Sequence, residues 1–196
     1  MRLKSELKIR LAGAGWLAVG LMIVVALAIR SEAQTAAKPA SLAVTSPAFA
    51  QGKAIPKRFT CDGQDVSPAV SWSRAPEGTK SFVVIMDDPD APAGTWVHWV
   101  FYDLPGSATG LPEGVKAVGR PPGGGTQGRN SFGNPGYGGP CPPGGQKHRY
   151  FFRVYALDGE LGLKEGAERG EVDAAMAGHV LASGELMGTY ARKGGG

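Results

Sequence analysis

Ser81-Phe82-Val83-Val84-Ile85-Met86-Asp87 is followed, after Asp88-Pro89-Asp90-Ala91-Pro92, by Trp96-Val97-His98-Trp99-Val100-Phe101-Tyr102-Asp103-Leu104. Both outer runs are β-branched and aromatic, and the prolines and aspartates between them force a turn. Each run therefore reads as a strand. Residues 69–73 and 149–157 form two further runs of this kind, bounded by Gly, Pro, Asp and Asn. Short strands at this spacing, with little helix before the end of the chain, predict a mainly β fold. The architecture expected is an antiparallel β-sandwich of Greek-key type with a few short helices.

Near the C-terminus, residues 171–183 place Val172, Met176 and Val180 at a period of four, with Gly184 as a stop. That pattern predicts a short amphipathic helix, with His179 on or near its inner face in a packing or capping role. Residues 193–196 read as a frayed tail.

The other end of the chain has a different character. Arg2, Lys4, Lys8 and Arg10 face a lone Glu6, and the 19 residues from Leu11 to Ile29 are uncharged. Residues 1–30 therefore read as an export signal or a membrane anchor. Nineteen apolar residues just span a bilayer, which favours an anchor, while Ser31-Glu32-Ala33 and Ala26-Leu27-Ala28 offer the small residues of a cleavage site. Either way the positive flank stays in the cytoplasm and the remainder is exported, to a periplasmic or other extracytoplasmic location, secreted or anchored by residues 11–29. Residues 31–45, rich in Ala, Ser and Thr, read as a linker, and residues 46–192 as a single domain.

Net charge is +4, but beyond Glu32 there are 16 basic against 15 acidic residues. So balanced a surface, without a basic cluster, argues against nucleic acid as a partner. The two cysteines, Cys61 and Cys141, both lie beyond the export segment. In an exported chain the expectation is one disulfide, the alternative being two separate thiols. No close-spaced ligand pairs suggest a metal site.

Two of the three histidines, His98 and His148, sit in strand runs next to proline-rich turns. Strand alternation puts Trp96, His98, Val100 and Tyr102 on one face, and His148, Tyr150, Phe152, Val154 and Ala156 on one face of the later run. If both faces look into the same end of the core, His98, His148 and Tyr150 converge. Between Gly119 and Gln146, 17 of 28 residues are Gly or Pro, yet Phe132 and Tyr137 are among the rest, which reads as a shaped loop over a site. Two histidines with a nearby carboxylate and glycine backbone N–H groups make an anion-binding pocket. With no Gly-x-Ser-x-Gly elbow and no independent nucleophile, binding rather than catalysis is expected.

Taken as a set, the motifs resemble the phosphatidylethanolamine-binding protein family, in its bacterial Raf kinase inhibitor-like branch. The resemblance runs from Ser46 to Arg192. It rests on Phe59-Thr60-Cys61-Asp62-Gly63, Ser67-Pro68 to Trp72, Asp88-Pro89-Asp90-Ala91-Pro92, Trp96 to Trp99, Gly136-Tyr137-Gly138-Gly139-Pro140-Cys141-Pro142-Pro143 and His148-Arg149-Tyr150. It implies a β-sandwich with a large central sheet. It further implies a pocket made of Asp88 at the rim, His98, Gly139 and Pro140 in the loop, and His148 and Tyr150, with Asp90 in support. Asp88 would accept from a ligand ammonium or orient a histidine. The function implied is binding of a small phosphate-bearing ligand or lipid head group, without catalytic residues, cofactor or metal. A second implication is inhibition of, or interaction with, an extracytoplasmic protein partner through the pocket rim. Membrane contact would come only through an uncleaved N-terminal segment.

Overall fold

The computed structural model of the chain describes residues 40–192. In chain order the elements are β1 (Ala40–Ser41), β2 (Val44–Thr45), a 3-10 turn at Lys57–Phe59, β3 (Val70–Trp72), β4 (Ser81–Asp88), β5 (Trp96–Pro105), β6 (Gly110–Leu111), β7 (Thr126–Gln127), β8 (Lys147–Leu157), α1 (Arg169–Met176) and β9 (Val180–Ala191). They build a six-stranded sheet of order β1-β9-β8-β4-β5-β7 and a three-stranded sheet of order β2-β3-β6. All pairings are antiparallel except that of β1 with β9. The order β8-β4-β5-β7 is the Greek-key arrangement, in which a later strand returns to lie beside the first.

Every residue of β4 is buried, because both faces of the large sheet are covered. One face presents Phe82, Val84, Met86, Trp99, Phe101, Phe152 and Val154 to the smaller sheet and the long loops. The other presents Val83, Ile85, Val100 and Tyr102 to Val172 and Met176 of α1. Removing such a side chain from water is worth about 1.5–3 kcal/mol, so the central hairpin of β4 and β5 dominates the core.

Three expectations change. Ala40–Ser41 and Val44–Thr45 pair with β9 and β3, so the folded part begins at least six residues before Ser46, within the stretch read as linker. The export segment and the tail lie outside the described residues. The helix spans Arg169–Met176 rather than residues 171–183; a capping box of Glu168 and Glu171 opens it earlier, and it closes before His179, which sits exposed in the following turn against Asp158.

From Val180 the chain is a strand that pairs along the whole of β8. Gly184, expected to stop a helix, lies inside that strand. A Cβ there would meet the Leu42 carbonyl oxygen at 2.0 Å, so glycine marks a close approach of backbone to backbone.

The third change concerns His98. Met86 pairs with Trp99 but Asp87 pairs with Val97, so β5 carries a bulge at His98. Val97, Val100 and Tyr102 face α1, while Trp99 and Phe101 face the other way. The surplus residue thus takes His98 off the Val100 face on which regular alternation puts it, and onto the face of Trp99, Phe101 and Tyr150.

Candidate functional site

Where β4 ends, the pleat points consecutive carboxylates to opposite faces. Asp88 is 3% exposed; its Oδ2 accepts from Nδ1–H of His148 at 2.8 Å and its Oδ1 from the Asp90 amide at 2.9 Å. The turn that follows is clamped to β8. Asp90 accepts from the Arg149 amide (2.9 Å), Nε (2.9 Å) and Nη2 (2.6 Å), which fixes the residue next to His148. These charge-assisted bonds hold the Asp90 carboxyl down at about 2.

His98 is 2% exposed and meets Tyr150 edge to face, with ring centroids 5.2 Å apart. Its Nδ1 lies 2.6 Å from the Gly138 carbonyl oxygen, which only accepts, so Nδ1 carries the proton and donates. Burial pushes the imidazole below its usual range, against smaller opposing contributions from the Gly138 carbonyl and Asp88. His98 is therefore neutral near pH 7, and its Nε2 is an acceptor.

The other edge of the same Gly138–Gly139 peptide is also held: its N–H donates to Asp65 Oδ1 at 2.7 Å. A Cβ on Gly139 would lie 2.4 Å from that oxygen and 2.5 Å from the Phe59 carbonyl oxygen, so the loop reaches this depth only with glycine there.

Asp88, His98 and His148 line one cavity of about 200 Å3, walled by Trp96 and Phe132 and by Pro92, Pro142 and Pro143. Trp96 Nε1, His148 Nε2 and the Tyr150 hydroxyl are buried without a partner. Burial, and then the Asp88 charge, push the Tyr150 phenol well above its usual range, which keeps its proton on as a donor. Buried orphans are rare and costly, and the three beside this cavity leave polar atoms there free to meet a polar partner. Trp96 and Tyr150 supply donors, and His148 supplies one when charged with Asp88 behind it.

Of the residues expected at the site, Asp88, His98, His148 and Tyr150 come together. Asp88 is buried rather than exposed at a rim, and it lines the cavity beside His148 with one hydrogen bond accepted at each oxygen, so it orients the histidine. Gly139 and Pro140 do not line this cavity. The Gly139 N–H is taken by Asp65, that of Gly138 by the His98 carbonyl, and the Pro140 carbonyl accepts from the Cys61 amide. The Gly138 and Gly139 amides are thus engaged within the protein, and Pro140 has none to offer.

A disulfide joins Cys61 to Cys141 with a Cα–Cα distance of 5.4 Å, tying Cys141, which lines the cavity, to the turn after Phe59. Trp96 is an additional site residue; its indole N–H in a turn-flanking strand was the available signal. Asp65 is another, and nothing local to its sequence announces it. Among the described residues no three His, Cys, Asp or Glu side chains cluster as metal ligands, and no helix is long and apolar enough to cross a membrane.

Residues 45–191 match the sequence model of the family described as phosphatidylethanolamine-binding protein. The chain belongs to the phosphatidylethanolamine-binding protein family. Within this family it is 52% identical to a UPF0098 protein of Aquifex aeolicus over 155 residues, covering 78% of this chain and 90% of that one. Against a UPF0098 protein of Methanothermobacter thermautotrophicus it is 51% identical over 145 residues, covering 74% and 95%.

Solved structures agree with the fold. A homologue of the family from Chlamydia trachomatis superposes with a TM-score of 0.71 at 41% identity, covering 78% of this chain and 99% of that one. YbcL of E. coli, described as a member of the mammalian phosphatidylethanolamine-binding protein family, gives 0.73 at 36% identity, covering 79% and 100%.

Proposed function

We propose that this family member is a non-enzymatic binding protein for small phosphate-bearing molecules, displayed outside the cytoplasmic membrane. The observation that carries the reading is His148 Nε2, buried, unpartnered and backed by the Asp88 carboxylate. Charged, it presents an N–H to an oxyanion, beside the Trp96 and Tyr150 donors. Neutral His98 meets the same ligand as an acceptor. The monoanion of a phosphate monoester carries both acceptor oxygens and one O–H, and so satisfies both kinds of group. No serine, threonine or free cysteine lines the cavity to serve as a nucleophile. Export is supported by the basic flank before the uncharged residues 11–29, and by a disulfide in the wall of the site.

The test is titration of the purified protein with inorganic phosphate and phosphoethanolamine, followed at the histidine ring protons by NMR. Shifts at His98 and His148 but not at His179, abolished in His148→Ala, are expected. No shift at millimolar ligand would overturn the reading.

A second reading, an inhibitor or interaction protein that grips an extracytoplasmic partner by the rim, draws on Phe132. Its ring is 44% exposed at the cavity mouth. Retention of partner binding in His148→Ala would favour it.

A further inference from the structure

A cavity of about 330 Å3 is lined by Phe101 and Leu104 of β5, Leu111 of β6 and Val115 of the loop that follows. The first three belong to the core between the two sheets, and Val115 packs against it. The cavity shares no lining residue with that of His98 and His148.

Its wall has few hydrogen-bonding groups to offer. Pro112, Pro121 and Pro122 carry no N–H. The Ala108 amide donates to the Pro105 carbonyl, and the Gly114 and Val115 amides donate to the carbonyl and the hydroxyl of Ser67. Gln127 Nε2 donates to the Lys116 carbonyl at 2.7 Å and to the Val118 carbonyl at 2.7 Å. Gln127 is fully buried, so a single side chain pins the loop of residues 116–118 and keeps the cavity's shape. On the other side, Gly125 at φ 81° lets residues 121–124 come down beside the Phe101 ring, which a Cβ would meet at 2.6 Å.

A concave site with so apolar a wall takes an apolar body. Lys116 is the one charged residue in the lining, and among the described residues it makes no ion pair. The acidic residue closest to it in sequence, Glu113, is taken by Arg58. At about 30 Å3 for each water-sized group, the cavity has room for roughly ten such groups. We propose that it binds a medium-chain alkyl carboxylate of about eight carbons, whose chain lies on Phe101, Leu104 and Leu111 and whose carboxylate meets the Lys116 ammonium. This is a second site, independent of the phosphate reading, and either can fail without the other.

Calorimetric titration of the full-length protein with straight-chain carboxylates from butanoate to dodecanoate tests it. Affinity is expected to rise about fourfold with each added carbon, the worth of one buried methylene, and to level off near octanoate, where the cavity is full. Octanoate is expected to bind about threefold more tightly than octanol, the size of an exposed ion pair, and the ratio is expected to fall to about one in Lys116→Gln. Lys116 is exposed and held by its carbonyl alone, so this variant keeps the fold. NOEs from the octanoate chain to the methyl groups of Leu104, Leu111 and Val115 are expected to place it. Each of four results would overturn the inference: no binding at millimolar octanoate, affinity still climbing at dodecanoate, a preference over octanol that survives in Lys116→Gln, or NOEs confined to other residues. Equal binding of octanoate and octanol would overturn it too, leaving a pocket for a neutral apolar group. Inorganic phosphate titrated into the same sample reports on the histidine cavity alone, so failure of one site is read separately from failure of the other.

Discussion

Asp87 and Asp88 follow one another on β4 and face opposite sides of one sheet. Asp87 accepts from Arg169 Nη1 at 2.9 Å and Arg153 Nε at 3.3 Å, and Asp88 from His148 at 2.8 Å. Each buried carboxylate is compensated on its own face, so the charge in the cavity of the two histidines is set apart from that of the helix side.

Asp88→Ala leaves His148 Nδ1–H and the Asp90 amide without an acceptor in a buried place. It is expected to lower the unfolding free energy by about 3 kcal/mol and to abolish phosphate binding. Asp87→Ala is expected to destabilise while leaving phosphate affinity in place. Urea unfolding and calorimetry on the two variants check both halves.

Because His98 Nδ1–H is committed to Gly138, Nε2 of the neutral ring asks the ligand for a proton. Phosphate still carries an O–H at pH 6.5 and sulfate does not. Phosphate is therefore expected to bind at least about tenfold more tightly than sulfate at pH 6.5, the cost of burying an unmet acceptor. Competition calorimetry with the two anions decides this, and equal affinities would contradict the assigned tautomer.

Two groups set the acid side of the stability curve. The pKa of His98 in the folded protein lies below that of the unfolded chain, so the unfolded state takes up the proton first. Its contribution is complete above about pH 6.5 and is lost as pH falls through the lowered folded value. Asp90, held at about 2 by Arg149, contributes above about pH 4, and that contribution is lost towards pH 2. The pair is partly exposed, so this second loss is about 1 kcal/mol. Urea midpoints between pH 8 and pH 2 should fall in two steps, with Asp90→Asn removing the lower one.

Reduction of the disulfide opens a loop of sequence separation 80 and is expected to cost about 4 kcal/mol. Pro142, Pro143 and Cys141 line the cavity of His98 and His148, so phosphate affinity is expected to fall as well. Thermal unfolding and titration with and without a dithiol reductant measure the two effects together.

β4, β5 and β8 were legible because their β-branched and aromatic runs leave no competing reading. β9 was not: Gly184 and Gly188 punctuate it as helix or loop signals would, and the reason for them lies in Leu42 and Ile55, which press on the strand from distant parts of the chain. Strand alternation put His98 on the wrong face, because a bulge is a property of the pairing with β4 and leaves no mark in β5 itself. His148 and Tyr150 were found through strand alternation, and Asp88 through motif resemblance. Asp65 was not found, since its partner Gly139 is 74 residues away.

The bulge at His98 also bears on how such a site arises. A ladder that absorbs one surplus residue keeps the side chains on both sides of it in their former seats. The bulge thus puts one more ring on the cavity side of the sheet while Val97, Val100 and Tyr102 keep their seats on the side of α1.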